Sequence, residues 1–426
     1  MSAFDKIIGY KSVKNELLQI IDVIKNREIY DNLGAKLTKG VLLHGIPGLG
    51  KTLIANAFIE ESGLKAYTIR RNKGNDDFIA LITNTFEEAK KNAPCIIFLD
   101  DMDKFANEDG DHPDAQEYVA VQSGIDNVKG YDVFVIATTN NVRKLPDSLI
   151  RFGRFDRRID LKPPTDEDTK KIIRFYLKDK KISKDIDIED LAKMMSYSSC
   201  ADLETVLNEA SIHAGYFRKK AVDMEDIVYA VLRKQYNTPD NYERKSAEDL
   251  KRTAIHEAGH TVVAEILNEG SIGLVSLRSS GNDDRGGFIH RCKEDKLWYY
   301  DMIVGLAGKA AVELYYAESV ADGCETDMEK VYKYIRYHVV ESGSCGLSHV
   351  GHYDWQYWGP EDSTASVSDA VIHAEMERYY LKAKEIIIKN REFFENIVDM
   401  LMLKETLVQS DIKKIRENVK IEEVAA

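Results

Sequence analysis

Two short stretches carry residue types whose spacing could do chemistry. In TAIHEAGHTVV, residues 253 to 263, His256 and His260 stand four positions apart with Glu257 directly after the first, inside an otherwise apolar, helical run. On a helix, positions i and i+4 share a face with Cβ atoms about 5 to 6 Å apart. Two imidazoles so placed can hold one Zn2+ through ring nitrogens at about 2.0 to 2.1 Å. Glu257 lies beside that face, so it is expected to take a proton from a metal-bound water without ligating the metal, the division of labour in H-E-x-x-H peptidases. Zinc would acidify that water and polarise a scissile carbonyl, and Glu257 would hand the proton to the leaving amine. The bland alternative is a core helix whose histidines only hydrogen-bond; the adjacent acid and the small Ala258 and Gly259 argue against it. A catalytic zinc also needs a third protein ligand and one open position. Local pattern leaves that ligand open among Glu313, Glu325, Asp327, His349 and His352.

The second stretch is GIPGLGKT, in which Gly45, Ile46, Pro47, Gly48, Leu49, Gly50, Lys51 and Thr52 match the phosphate-loop pattern G-x-x-x-x-G-K-T. It sits between an apolar run, GVLLHG, and a helical one, LIANAFIEE. Backbone N–H groups of such a loop curl round the phosphates of ATP, and the following helix N-terminus adds positive dipole. Lys51 is expected at the β and γ phosphates and the Thr52 hydroxyl on Mg2+. CIIFLDDMDKF then supplies Asp100 at the end of a buried strand, where it can hold the metal, and Asp101 where a water-activating carboxylate would sit. Asn140 ends VIATTNN and is expected to orient the attacking water. In RFGRFDRR, Arg154 and Arg157 suit arginine fingers reaching a neighbour's γ-phosphate, although such clusters are commonly solvated surface charge.

These residues need elements to position them. Up to about residue 160, short apolar runs at 40 to 45, 95 to 100 and 133 to 139 alternate with helical stretches, the pattern of an α/β parallel sheet. The expected organisation is an α/β nucleotide-binding subdomain over 1–163 and a helical lid over 164–236. A linker over 237–248 and a mainly α-helical zinc peptidase domain over 249–426 follow, the latter with one weak β patch near 272 to 292. With 426 residues, 44% apolar and 31% charged, the chain is of ordinary globular composition. A formal charge of -13 argues against a broad nucleic-acid footprint. Five scattered cysteines, at 95, 200, 292, 324 and 345, form no C-x-x-C pair and suit a reducing, cytoplasmic setting. No signal sequence and no run of eighteen apolar residues is present.

The order of phosphate loop, acidic strand, TTNN...LPDSLIRFGRFDRR and SCADLETVLNEA resembles the AAA+ ATPases. HEAGH after such a module resembles the FtsH-type metalloproteases, and the likeness runs from FDKIIGYKSVKNELL to near residue 415. The resemblance implies an ATP-dependent zinc endopeptidase that unfolds and degrades protein substrates in a homo-oligomeric ring, a hexamer, with Arg154 and Arg157 acting in trans. It also implies Asp327, in ADGCETDMEKVYKYI, as the third zinc ligand. An exposed strand at GGFIHR, 286 to 291, could pair with an extended peptide, or its glycines could form only a turn.

Three departures stand out. Asp101 replaces the family's glutamate, which is expected to slow hydrolysis by about ten- to a hundredfold. RRNKGNDDF replaces the aromatic-glycine pore segment, with Phe78 expected in the core instead. The family's membrane-spanning N-terminal region has no counterpart, so a soluble relative is expected, with an excised cytosolic part as the other reading. The aromatics of GSCGLSHVGHYDWQYWGPED could form a lid or contact surface. The rival function is a remodelling or assembly ATPase whose peptidase is nucleotide-independent or vestigial.

Overall fold

Continuous apolar runs bounded by turn residues are what a sheet buried on both faces requires, and the first part of the chain forms one. The computed structural model describes residues 2–35, 38–71, 75–106, 115–151, 153–238, 246–279, 286–294, 297–317, 323–342 and 362–424. They divide into two compact units: residues 1–178 with 197–205, and residues 179–196 with 206–426.

In the first unit, strands β1 (Gly40–His44), β2 (Lys65–Ile69), β3 (Cys95–Leu99), β4 (Val133–Thr139) and β5 (Arg157–Asp160) form a parallel sheet in the order β2-β3-β4-β1-β5. The period of two sends alternate residues to opposite faces: Leu42, Ile97 and Val135 to one core, Val41, Leu43, Ile96 and Ile136 to the other. Phe78 is fully buried in the first of these cores, edge-to-face on Phe105 at 5.2 Å. It is a core residue, as its sequence setting suggested; Asn72, Lys73 and Gly74 of the altered pore segment lie outside the described residues.

The second unit is mainly helical. Helix Ala247–Leu267 starts at Ser246, whose hydroxyl accepts from the Asp249 N–H at 3.1 Å, and ends at Asn268. Its neighbours include helices Tyr300–Tyr316, Glu325–Arg336, Asp362–Lys389 and Arg391–Lys404. Strands β6 (Ile272–Ser276), β7 (Phe288–Arg291) and β8 (Thr406–Val408) form an antiparallel sheet in the order β7-β6-β8. Burying Ala254, Ile255, Ala258 and Val262 against Ile303, Leu306, Ala307 and Ala310 gives the unit one continuous core.

Residues 164–236, expected as one lid, are shared out between the units. Ala201 donates its N–H to the Gly48 carbonyl at 3.1 Å, tying its segment to the phosphate loop. Helix Ile188–Met194 instead packs on β6, with the Asp190 carboxylate accepting from the Ser410 N–H at 2.9 Å. Of the cysteines, Cys95, Cys292 and Cys324 are buried free thiols, Cys200 is half-buried and free, and Cys345 lies outside the described residues.

Candidate metal centre and nucleotide site

The helix Ala247–Leu267 carries both histidines on one face, and the helix Glu325–Arg336 brings Asp327 to them from 67 residues beyond His260. His256 Nε2 and His260 Nε2 lie 3.0 Å apart, and Asp327 Oδ2 lies 3.2 Å from the first and 3.3 Å from the second. Donors bound tetrahedrally at about 2.05 Å are about 3.3 Å from one another, so the three atoms already hold the spacing of three zinc ligands. The chemistry of the set, two imidazoles and one carboxylate with a fourth direction left open, is that of a catalytic zinc site. Among the described residues this is the sole cluster of its kind.

The tautomer of His260 follows from its other nitrogen. Nδ1 lies 2.6 Å from the Val304 carbonyl oxygen, which can only accept, so Nδ1 carries the hydrogen and Nε2 presents a lone pair toward the site. Burial alone would lower the His256 pKa, but the hydrogen bond to Asp327, then the contact with Cys324 and the negative charges nearby, outweigh it and carry the group up to about 10. Asp327 shows the mirror image: burial raises it, while its contacts with the two histidines, the hydrogen bond from His256 first, hold it well below the ordinary carboxylate value. Without a cation, then, a proton on His256 supplies the positive charge that the carboxylate demands.

Glu257 is buried, and the backbone at Gly287 lies against it: a Cβ there would sit 2.5 Å from Glu257 Oε1. With φ of +84°, residue 287 also occupies backbone space that favours glycine. The three donors and Glu257 line a cavity of about 730 Å3, together with Gly286, Gly287, Phe288 and Ile289. The stretch expected as an exposed strand or a turn thus supplies both, two left-handed glycines and then β7, an edge strand of its sheet.

Of the other candidate ligands, Glu313 ion-pairs with Lys309 at 2.7 Å and accepts from the Tyr380 hydroxyl, and Glu325 is exposed at its helix start. His349 and His352 lie outside the described residues, as do the aromatics of 343–361.

In the first unit, the loop from Gly45 to Gly50 joins β1 to the helix Lys51–Ser62, with Ile46 exposed and Leu49 buried. Lys51 donates to the carbonyls of Gly45 and Ile46, both at 2.7 Å. The Thr52 hydroxyl donates to Asp100 Oδ1 at 2.9 Å, and Thr138 donates to the same oxygen at 2.8 Å. Asp100 is buried at the end of β3, where a cation bridging to Thr52 would be held.

Asp101 follows in a left-handed conformation, φ 55°, accepting from Lys104 Nζ at 2.6 Å and from Asn140 Nδ2 at 3.3 Å. Asp101 and Asn140 are therefore brought together. The two arginines are not alike. Arg154 is buried, bonded to Asp126 at 2.6 and 3.1 Å and to the Ser148 carbonyl, so its guanidinium is turned inward onto its own chain. The exposure expected of an outward-reaching finger is found at Arg157, which is half-exposed and 3.7 Å from Glu16. Sequence reasoning missed the Val304 carbonyl, Thr138 and Cys324, whose Sγ lies 3.8 Å from His256 Nδ1. None belongs to a local motif; the small-residue spacing of GLAGKAA was the one available hint that a helix passes close to the histidines.

Among the described residues no helix is long and apolar enough to cross a membrane. Residues 41–163 match the ATPase family associated with various cellular activities (AAA), and residues 243–415 match Peptidase family M41. The chain is 32% identical to the ATP-dependent zinc metalloprotease FtsH of Mycoplasma pneumoniae, across 98% of this chain and 62% of that protein. It is 30% identical to the ATP-dependent zinc metalloprotease FtsH 3 of Symbiobacterium thermophilum, across 98% of this chain and 71% of that protein. The FtsH of Thermus thermophilus is 29% identical over the same two shares. The chain thus spans a little under two thirds of the first of these relatives. A phosphate loop on a parallel sheet, a histidine pair meeting a distant aspartate on a helical scaffold, and likeness along nearly the whole chain converge: the chain belongs to the FtsH family of ATP-dependent zinc metalloproteases.

Proposed function

We propose that the protein is an ATP-dependent zinc metalloendopeptidase that degrades protein substrates, with His256, His260 and Asp327 holding Zn2+ and Glu257 as general base. The observation that carries this reading is the mutual spacing of the three donor atoms, 3.0, 3.2 and 3.3 Å, on two separate helices. Bound there, zinc would lower the pKa of a water and polarise the peptide carbonyl. The protein's own part is separate. Val304 holds the His260 tautomer, Glu257 takes and returns the proton, and the open edge of β7 offers main-chain hydrogen bonds to an extended substrate.

In the nucleotide unit, Gly45 to Thr52 cradle the phosphates of ATP. Thr52 and Asp100 hold Mg2+, and Asp101 with Asn140 orients the attacking water. Arg157, and Arg154 once released from Asp126, act on a neighbour's nucleotide in a homo-oligomeric ring, a hexamer by family likeness. The setting is cytoplasmic. Metal analysis joined to assays of wild type, Glu257→Gln and Lys51→Ala tests the reading. Glu257→Gln is expected to keep zinc and lose cleavage, and Lys51→Ala to spare short peptides while abolishing turnover of folded proteins. Equal casein degradation with ATP, with a non-hydrolysable analogue and without nucleotide would instead favour a peptidase uncoupled from the ATPase.

A further inference from the structure

The two zinc-motif imidazoles are steadied differently. A histidine that gives Nε2 to a metal keeps its hydrogen on Nδ1, and a buried N–H needs an acceptor. For His260 that acceptor is the Val304 carbonyl. For His256, whose side chain is 14% exposed, the partner that Nδ1 meets among the described residues is Cys324 Sγ, at 3.8 Å. Helix Tyr300–Tyr316 supplies none where it passes, because a Cβ at Gly308 would already lie 2.6 Å from the same nitrogen. Cys324 is buried at the start of helix Glu325–Arg336, three residues ahead of Asp327. One helical turn therefore reaches both nitrogens of one ring: Asp327 Oδ2 lies 3.2 Å from Nε2, and Cys324 Sγ lies at Nδ1.

We propose that Cys324 is a positioning residue for the metal centre: its sulfur accepts the hydrogen of His256 Nδ1 and so selects the tautomer that turns the Nε2 lone pair toward Asp327 and His260. The inference rests on the metal-centre reading above. The direction of the bond follows from the ligand set. Were the thiol to donate to Nδ1, the neutral ring would carry its hydrogen on Nε2, and the nitrogen facing the other donors would have no lone pair for a cation. Nor is the sulfur a fourth ligand. It lies at the far nitrogen of the ring, whereas the atoms that close on one another are the two Nε2 and Asp327 Oδ2. A thiol sulfur is a weak acceptor, so its effect on zinc affinity is about tenfold, the lower end of what an outer partner of a ligating histidine is worth. The competing account makes Cys324 a small buried hydrophobe that only fills space. The two differ over serine, which keeps an acceptor but not the apolar bulk, while alanine keeps neither.

The test titrates zinc into metal-free wild type, Cys324→Ala and Cys324→Ser in competition with a chromogenic chelator. Cys324→Ala is expected to raise the zinc Kd about tenfold, and Cys324→Ser to stay within about threefold of wild type. Co2+-loaded wild type is expected to show no thiolate-to-cobalt charge-transfer band. Wild-type affinity in the alanine variant, or a serine variant as weak as alanine, would overturn the role and leave the metal centre standing. A charge-transfer band that disappears in either variant would overturn it as well, by making Cys324 a ligand. The serine titration and the cobalt spectrum need no alanine protein, so a misfolded Cys324→Ala does not shield the role from refutation. A wild type that takes up no zinc would overturn the metal-centre reading and this inference together. The expected order of affinities with no wild-type cleavage of any peptide would overturn the peptidase reading alone.

Discussion

Helix Tyr300–Tyr316 passes the zinc-motif helix so closely at Gly308 that a methyl group there would lie 2.4 Å from His256 Cε1 and 2.5 Å from His260 Nε2. Gly308→Ala therefore has two opposed effects. Replacing a helical glycine by alanine favours the helix by up to about 1 kcal/mol. Against this, the added carbon forces the rings aside, and overpacking of this kind costs about 1 to 3 kcal/mol.

The balance depends on the metal. In the metal-free protein His256 can turn away, whereas zinc coordination fixes both rings to within about 0.2 Å. The penalty thus falls mainly on the metal-bound state, which at about 1.4 kcal/mol per decade raises the zinc Kd by roughly 5- to 150-fold. At a fixed excess of zinc, the stabilisation conferred by the metal shrinks by the same 1 to 3 kcal/mol, about. Competition titration against a chromogenic chelator gives the first quantity, and thermal melts with and without zinc give the second. A Gly308→Ala protein with wild-type zinc affinity and an unchanged metal-dependent Tm would refute the reasoning.

The remaining predictions concern charge and chemistry. In the metal-free protein the raised His256 pKa contributes stability that is full below its unfolded value of 6.5 and is lost as pH rises toward about 10. The lowered Asp327 contributes stability that is present above 3.8 and lost as pH falls below it, so chelator-treated protein should show its highest Tm between these two values. Zinc must displace the His256 proton, so its affinity should rise with pH up to about 10, with proton release measurable by calorimetry in buffers of different ionisation enthalpy. Arg154→Ala should destabilise the protein by about 1 to 3 kcal/mol in thermal melts, discounted because Asp126 is partly exposed. Arg157→Ala should shift stability by less than about 0.5 kcal/mol while lowering ATP turnover. Asp101→Glu should raise ATP turnover about tenfold or more in a steady-state phosphate-release assay; an unchanged rate would mean that the shorter carboxylate is not limiting.

Both motif-bearing elements were legible because their chemistry is local. The phosphate loop announces itself between an apolar strand and a helix, and HEAGH fixes its own geometry through the helical period. Asp327 was not legible from pattern: its partners are 67 and 71 residues away, and only the packing of three helices decides that it, rather than Glu313, faces the imidazoles. The Val304 carbonyl is invisible to any reading of side chains. Strand β8 is three residues long, too short for an alternation to register, and Arg154 reads as surface charge until Asp126 is seen beside it. The sharing of residues 164–236 between two units was equally hidden, because amphipathic periodicity reports that a helix has a buried face without reporting what buries it.

That sharing bears on how the chain can be dissected. Asp190 caps the Ser410 amide, Ser196 Oγ lies 2.8 Å from His290 Nε2 on β7, and a Cβ at Gly273 of β6 would meet the Lys193 carbonyl at 2.3 Å. Cutting the gene at the start of the peptidase match, residue 243, would strip this cover from the small sheet and leave its apolar strands wet. A fragment beginning ahead of Asp179 carries its own wrapping, and is the longer of the two pieces, the one from which a soluble, zinc-loaded hydrolase should be recovered.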